Sequence, residues 1–318
     1  MGIIILKKHL FLYSLFIILS AVAFGVTSST LCFIASGLCI TVLVCNRKNM
    51  QVFLCSALSV IICCLMAGTT VCVCFTLGGI LPGVFLGKGY LKKLSLPYLA
   101  VMPSVSFISL WAYLFYTYKA TTGGNMFADI SETVVNMTIK EIENLVKTGT
   151  YPLPEETLPE LTRGVSSVME LVNNLIPAFL IIFSGMFSLI LILVSKKFVG
   201  YLGRKVTTFS RFRVPGTLVL VSIICMAGYS LSESSYKYIF LNVLLILTSY
   251  CFLCGVSILD FALKKKVSSP LLRVIILFLI LTVGNIILSG TVSMILLIMG
   301  IMDSMFNYRR LPGTPKQG

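Results

Sequence analysis

The chain has 318 residues, of which 57% are hydrophobic and 11% charged, with a formal net charge of +14. Soluble domains carry about 25% charged residues, so the composition excludes an ordinary soluble globule, and a mean hydropathy of +1.00 places the chain in a membrane. A single histidine, His9, leaves a zinc site or a histidine-based triad without its parts.

Lys7 and Lys8 precede an apolar run to about Gly25. With Ala21-Val22-Ala23 the run imitates a cleavable signal peptide, but a second apolar run follows at once, so it is read as an uncleaved first span. Residues 9–45 form 37 positions without charge after the start. One helix of that length would measure about 55 Å against a hydrocarbon core of about 30 Å. Two spans are therefore predicted, turning near Thr27-Ser28-Ser29-Thr30 and closed by Arg47 and Lys48.

Residues 52–87 repeat the arrangement, with a turn near Gly68-Thr69-Thr70. Gly79, Gly83 and Gly87 then stand at i, i+4 and i+8 on one helix face, where small residues let a neighbouring backbone approach. Pro82 between them removes an internal hydrogen bond and predicts a kink. The stretch reads as tight packing or as a broken helix that exposes backbone groups to a substrate. A fifth span covers 96–118 and holds Trp111, the only tryptophan.

Residues 119–172 break the apolar pattern and hold eight of the eleven acidic residues. Ile130, Val134, Met137, Ile142 and Leu145 predict an amphipathic helix over about 127–147. Gly149-Thr150-Tyr151-Pro152-Leu153-Pro154 ends it, and Glu155 and Glu156 begin a helix that continues into a sixth span at 175–194. Asn136-Met137-Thr138 matches a glycosylation sequon by pattern alone.

A basic, aromatic loop over 196–213 is expected to lie in the headgroup layer, where anionic lipids, not nucleic acid, are the partner. The seventh span is placed at 214–231 and the eighth at 238–263, where Asp260 and Lys264 form a favourable i,i+4 pair. The run 271–308 is split near Ser289-Gly290 into a ninth and a tenth span. The eleven cysteines all fall in apolar runs, so Cys251-Phe252-Leu253-Cys254 reads as packing and not as a metal or redox pair.

The predicted fold class is all-α: a polytopic transmembrane bundle of about ten spans, eight if one pair is re-entrant, with both termini cytoplasmic. The expected parts are a membrane half over 1–118, an extracytoplasmic acidic insert over 119–172, a second membrane half over 173–310, and a tail over 311–318. In this topology 20 of the 25 cations lie inside, as the positive-inside rule requires.

Polar groups inside hydrocarbon are the candidate working residues. They are Asn173 and Asn174 before Pro177, Asn242 in the eighth span, Asn285, Ser289 and Thr291 near the last turn, and Asp303. Arg310, seven residues beyond Asp303, is its expected ion-pair partner, as a working element or an interfacial anchor. Asn173, Asn174, Asn285, Ser289, Asp303 and Arg310 form the proposed substrate-binding set; Gly79, Pro82, Gly83 and Gly87 the packing set. No catalytic residue, metal site or cofactor is expected, nor a nucleotide motif, so ATP-driven work would need an energising partner subunit.

Three stretches carry a resemblance: Asn174-Leu175-Ile176-Pro177, Phe212-Arg213-Val214-Pro215, and Gly300 through Asp303 to Arg309-Arg310. With them the chain resembles the YybS-type membrane proteins of Gram-positive bacteria, a family of unknown function. That family usually carries an acid near position 307, where this chain has Asn307. The Gly-rich fourth span is more distantly similar to the small-substrate transporter superfamily that includes vitamin-binding membrane subunits. That likeness implies a transport-like fold and names no substrate; the kinked Gly-rich span and the polar groups near the midplane point to a multi-pass plasma-membrane protein that binds or transports a small solute. The alternative is a non-transporting scaffold or regulator in envelope or sporulation processes.

Overall fold

A computed structural model describes residues 2–148, 158–200, 208–232 and 234–309. The predicted helix start at Glu155 and Glu156, the break at 149–154, Glu233, Arg310 and the tail lie outside the described residues. Among those described there are helices and no strand.

The chain runs through α1 (Gly2–Thr27), α2 (Leu31–Cys45), α3 (Asn49–Phe75), α4 (Leu81–Leu91), α5 (Leu96–Thr122) and α6 (Met126–Lys147). It continues through α7 (Leu158–Gly200), α8 (Gly216–Leu231), α9 (Ser234–Lys264), α10 (Pro270–Ile287) and α11 (Thr291–Phe306). Among the described residues, four stretches are long and apolar enough to cross a membrane: Asn49–Leu91, Leu96–Thr122, Pro159–Lys196 and Tyr236–Lys264. Shorter apolar helices lie at Leu12–Thr27, Leu31–Cys45, Gly216–Leu231, Leu272–Ile287 and Thr291–Phe306. Large apolar side chains such as Leu65, Ile224, Phe278 and Ile286 point outward, as lipid permits and water does not.

The expected turns mark real breaks. α1 ends at Thr27, where Ser28 takes φ 51, and α2 starts three residues later. Inside α3, Gly68 leaves the helical region at φ 85 and ψ 177, a backbone that a side chain would resist. Met66 lies beside Gly25, yet Phe75 is again level with Phe24, their rings 5.7 Å apart. The chain has reversed at Gly68. Leu288, Ser289 at φ 47 and Gly290 at φ 83 break the last apolar run between α10 and α11.

The first two hairpins pack parallel and in register. The Cys63 thiol faces the Ala21 carbonyl, the Thr41 hydroxyl donates to Gly83 O, and the Cys45 thiol faces Gly87 O, each pair 42 residues apart. Their exits match too: Arg47 and Lys93 both adopt φ near +57, with Lys48 N donating to Leu43 O and Leu94 N to Gly89 O.

Glycines permit this register. A Cβ on Gly83 would stand 2.6 Å from Gly37 O and 2.9 Å from the Ile40 Cβ. One on Gly87 would stand 2.6 Å from the Val44 Cβ, and one on Gly79 would collide with the Ser36 hydroxyl. A π-helical turn at Thr76–Ile80, closed by Leu81 N on Thr76 O, precedes Pro82. Its wider ring makes room for a proline that would crowd the carbonyl four residues back. α9 and α11 use the same device: a Cβ on Gly255 would run into Leu296 O, and one on Gly300 into Cys251 O.

Two expectations are corrected. Residues 196–200 belong to α7 and not to a loop; the described remainder holds a short 3-10 turn at Phe209–Arg211. Asp260 does not pair with Lys264: the Arg273 guanidinium reaches it at 3.1 Å from α10, since a planar fork satisfies a carboxylate better than a flexible ammonium does.

Candidate functional site

The polar residues singled out from the sequence do not converge on one place. They form three separate clusters, each at a break in a helix.

The first is at Pro177. Proline has no N–H and disrupts the ladder around it. α7 nevertheless runs through it, because Asn242 of α9 inserts its carboxamide. Ala178 N donates to Asn242 Oδ1 at 2.9 Å, and Asn242 Nδ2 donates to Asn174 O at 2.7 Å. Those backbone groups are the i→i−4 pair that an unbroken helix would join directly. Nδ2 also reaches Tyr238 O at 2.7 Å. Asn173 and Asn174 are half-buried one turn before the break. Asn242 stood out in the sequence only as a polar residue in an apolar span; nothing there named its partners.

The second is the α10–α11 turn. Asn285 Nδ2 donates to Ser293 Oγ at 2.7 Å, Ser293 N donates to Asn285 Oδ1 at 3.0 Å, and Gly290 N donates to Asn285 O at 2.8 Å. Asn285 thus ties the turn together, while Ser289 is exposed beside it. The third cluster, around Asp303, lies about 18 Å further along α11.

There the partner of Asp303 is Arg309, with Nη2 at 2.7 Å from Oδ2 and the two side chains 2% and 1% exposed. α11 ends at Phe306, and Asn307 adopts a left-handed conformation (φ 49, ψ 50), which asparagine tolerates. The chain therefore folds back, and Arg309 N donates to Asp303 Oδ1 at 3.1 Å. Nε donates to Asp303 Oδ2, Nη1 to Ser210 O and Ser257 Oγ, and Nη2 to Phe212 O and Asp303 Oδ2. All five guanidinium N–H groups are engaged. Arg213 adds Nε to Asp303 O and Nη2 to Ser304 O, both at 3.1 Å, capping the exposed carbonyls of α11. Cys254 turns its thiol to Asp303 Oδ2 at 3.8 Å rather than to Cys251. The cluster fastens the 209–213 segment to α9 and α11 and leaves no N–H of the Arg309 guanidinium for a ligand.

Two concavities lie elsewhere. A void of about 20 Å³ sits between α5, α7 and α9, lined by Ala100, Gly185, Leu189, Ser249, Tyr250 and Leu253. It has room for about one water. A groove of about 690 Å³ runs between α6 and the start of α7, lined by Thr138, Glu160, Leu161, Gly164, Val165 and Val168. No group of three or more potential metal ligands gathers among the described residues.

A family model described as a predicted membrane protein (DUF2232) matches residues 11–304. No curated protein matches the chain, and no solved structure does.

Proposed function

The chain belongs to the DUF2232 family of predicted membrane proteins, and we propose that it binds or conveys a small solute within the membrane. The observation that carries this reading is the Asn242 carboxamide spliced into α7 at Pro177. Transporters break helices where backbone groups must face a site at membrane depth. Here one side chain of α9 holds both freed groups. Sliding α9 against α7 would present Asn174 O and Ala178 N to a solute, beside Asn173 and above the void at Gly185 and Tyr250. In this reading the nine apolar helices among the described residues, with the one reversed at Gly68 counted twice, make ten crossings. The acidic insert faces outside the plasma membrane, and both termini lie in the cytosol. The chain performs no covalent chemistry and needs no cofactor, and any ATP-driven step belongs to a partner subunit.

The test is thermal-shift screening of the purified chain against vitamins, nucleobases, amino acids and monovalent cations, then proteoliposome uptake of any stabiliser. A solute that stabilises the native chain but not Asn242→Leu supports the reading. No stabiliser in any class, with no uptake, ends it.

A second reading has one observation of its own. The α6–α7 groove is large enough to seat a partner and has one carboxylate, Glu160, in its lining, which suits a scaffold or regulator acting outside the membrane. Replacing residues 119–172 by a neutral linker would then abolish the cellular role and leave insertion intact.

A further inference from the structure

Near the ends of α7, α9 and α10, one carboxylate has three cations in its neighbourhood, and one of them touches it. Arg273, in the first turn of α10, donates Nε to Asp260 Oδ1 at 3.1 Å and Nη1 to Val267 O at 3.2 Å. Lys264 stands one turn beyond Asp260 on α9, and Lys196 at the end of α7 is level with Asp260, because α7 and α9 run parallel with Ala178 beside Asn242 and Gly185 beside Tyr250. Asp260 is the one acid in that set, and Arg273 already occupies it through a direct hydrogen bond. Lys196 and Lys264 are therefore left as two positive charges in excess.

Two surroundings sharpen the point. Lys196 is half-buried, so water screens its repulsion from Lys264 and Arg273 less than it would at an open surface. The cluster also sits at the N-terminus of α10, whose dipole adds positive potential and suits an anion. A fold that gathers like charges at a positive helix end leaves a place for a counter-charge. The neighbouring face of α10 is apolar and exposed, with Val274, Ile275 and Phe278 pointing out. An acyl chain can lie along that face while its headgroup meets the cations.

We propose that Lys196, Lys264 and Arg273 form a binding site for a phosphate group, supplied by an anionic phospholipid of the adjoining leaflet. This site is independent of the solute reading: it needs only that the chain sits in a bilayer. It differs from a general attraction of basic loops to the membrane surface, because it names one place and spares the other cations.

The experiment is native mass spectrometry of the full chain in detergent, offered phosphatidylglycerol and phosphatidylcholine at equal concentration. The chain should retain phosphatidylglycerol preferentially. Lys196→Gln with Lys264→Gln should weaken that retention by about 20-fold, on the order expected for two lysines at a headgroup. Lys92→Gln with Lys93→Gln, which removes the same charge elsewhere, should leave it unchanged, and Lys196→Arg with Lys264→Arg should restore it. Lys264 is exposed, so Lys264→Gln alone serves if the double variant does not fold. Equal retention of both lipids by the native chain overturns the proposal, as does undiminished phosphatidylglycerol binding in the glutamine variants. Inorganic phosphate forms the last arm. If millimolar phosphate displaces phosphatidylglycerol from the native chain and stabilises it only when both lysines are present, the ligand is a soluble phosphate and the lipid assignment falls.

Discussion

Arg309→Lys keeps the charge opposite Asp303 and is the sharpest test of the clasp. The guanidinium makes five hydrogen bonds to Asp303, Ser210 O, Ser257 Oγ and Phe212 O. An ammonium has three N–H groups and no planar fork, so at least two of the five bonds are lost even if it stays on Asp303. Each buried acceptor left without a donor costs about 1–3 kcal/mol, so two of them put the substitution at about 2–6 kcal/mol. Asp303→Ala instead strands a guanidinium that is 2% exposed, at about 3–5 kcal/mol. Replacing both by apolar residues of similar size removes both charges and should cost less than the sum of the two single changes. Thermal unfolding in detergent, followed through Trp111, gives the ranking. Proteolysis between α7 and α8 should accelerate in Arg309→Lys, because that is where the clasp holds the chain. If Arg309→Lys melts with the native protein while Asp303→Ala falls, charge alone matters and the argument from donor count is wrong.

Three further outcomes are expected. Gly83→Leu must push a side chain into Gly37 O and Ile40, so it should cost about 3 kcal/mol or more of bundle stability, whereas Gly164→Leu, which meets nothing within 4 Å, should melt with the native chain. Asn242→Leu orphans Ala178 N and Asn174 O and should lower stability by about 1–2 kcal/mol in detergent titration, while Asn285→Leu should loosen the α10–α11 turn without affecting α7. Reporter fusions at Lys140 and Arg204 should report opposite sides of the membrane; the same side for both would overturn the proposed topology.

Much of the helix map is legible because a bilayer imposes a length. Runs of 36 to 38 largely apolar residues cannot cross once, so breaks at Ser28, Gly68 and Ser289-Gly290 follow from arithmetic and from the residues that tolerate them. The amphipathic α6 is legible because its apolar positions repeat at helical spacing. Side-chain partners are less so. Pairing Asp303 with Arg310 assumes that the helix continues for two turns, but Asn307 reverses the chain and delivers Arg309 instead. Pairing Asp260 with Lys264 assumes that the nearest cation on the same helix wins, but Arg273 arrives from the next one. The packing role of Gly255 and Gly300 is not legible because they lie on different helices and make no repeat of glycines, although each meets a backbone carbonyl of the other's helix.

The manner of fastening says where this molecule can move. The first two hairpins meet backbone to backbone through Gly79, Gly83 and Gly87, and α9, α11 and the 209–213 segment are held by a buried ion pair with every guanidinium donor used. Neither arrangement shifts by a fraction of an ångström without a collision or a lost charge pair. α7 meets its neighbours differently. Ser188 Oγ donates to Ala100 O at 2.6 Å, Ser104 Oγ to Ser184 O at 3.4 Å, and Tyr90 and Ser195 share a hydroxyl bond at 3.0 Å. Single hydroxyl bonds between helices in a membrane are worth about 0.6 kcal/mol each, and a carbonyl one turn along can accept the same hydroxyl. The seam along α7 can therefore exchange its polar bonds one at a time, and it is the seam that holds both the Asn242 splice and the void at Gly185. A solute that opened this protein would open it there, with two rigid blocks parting along α7.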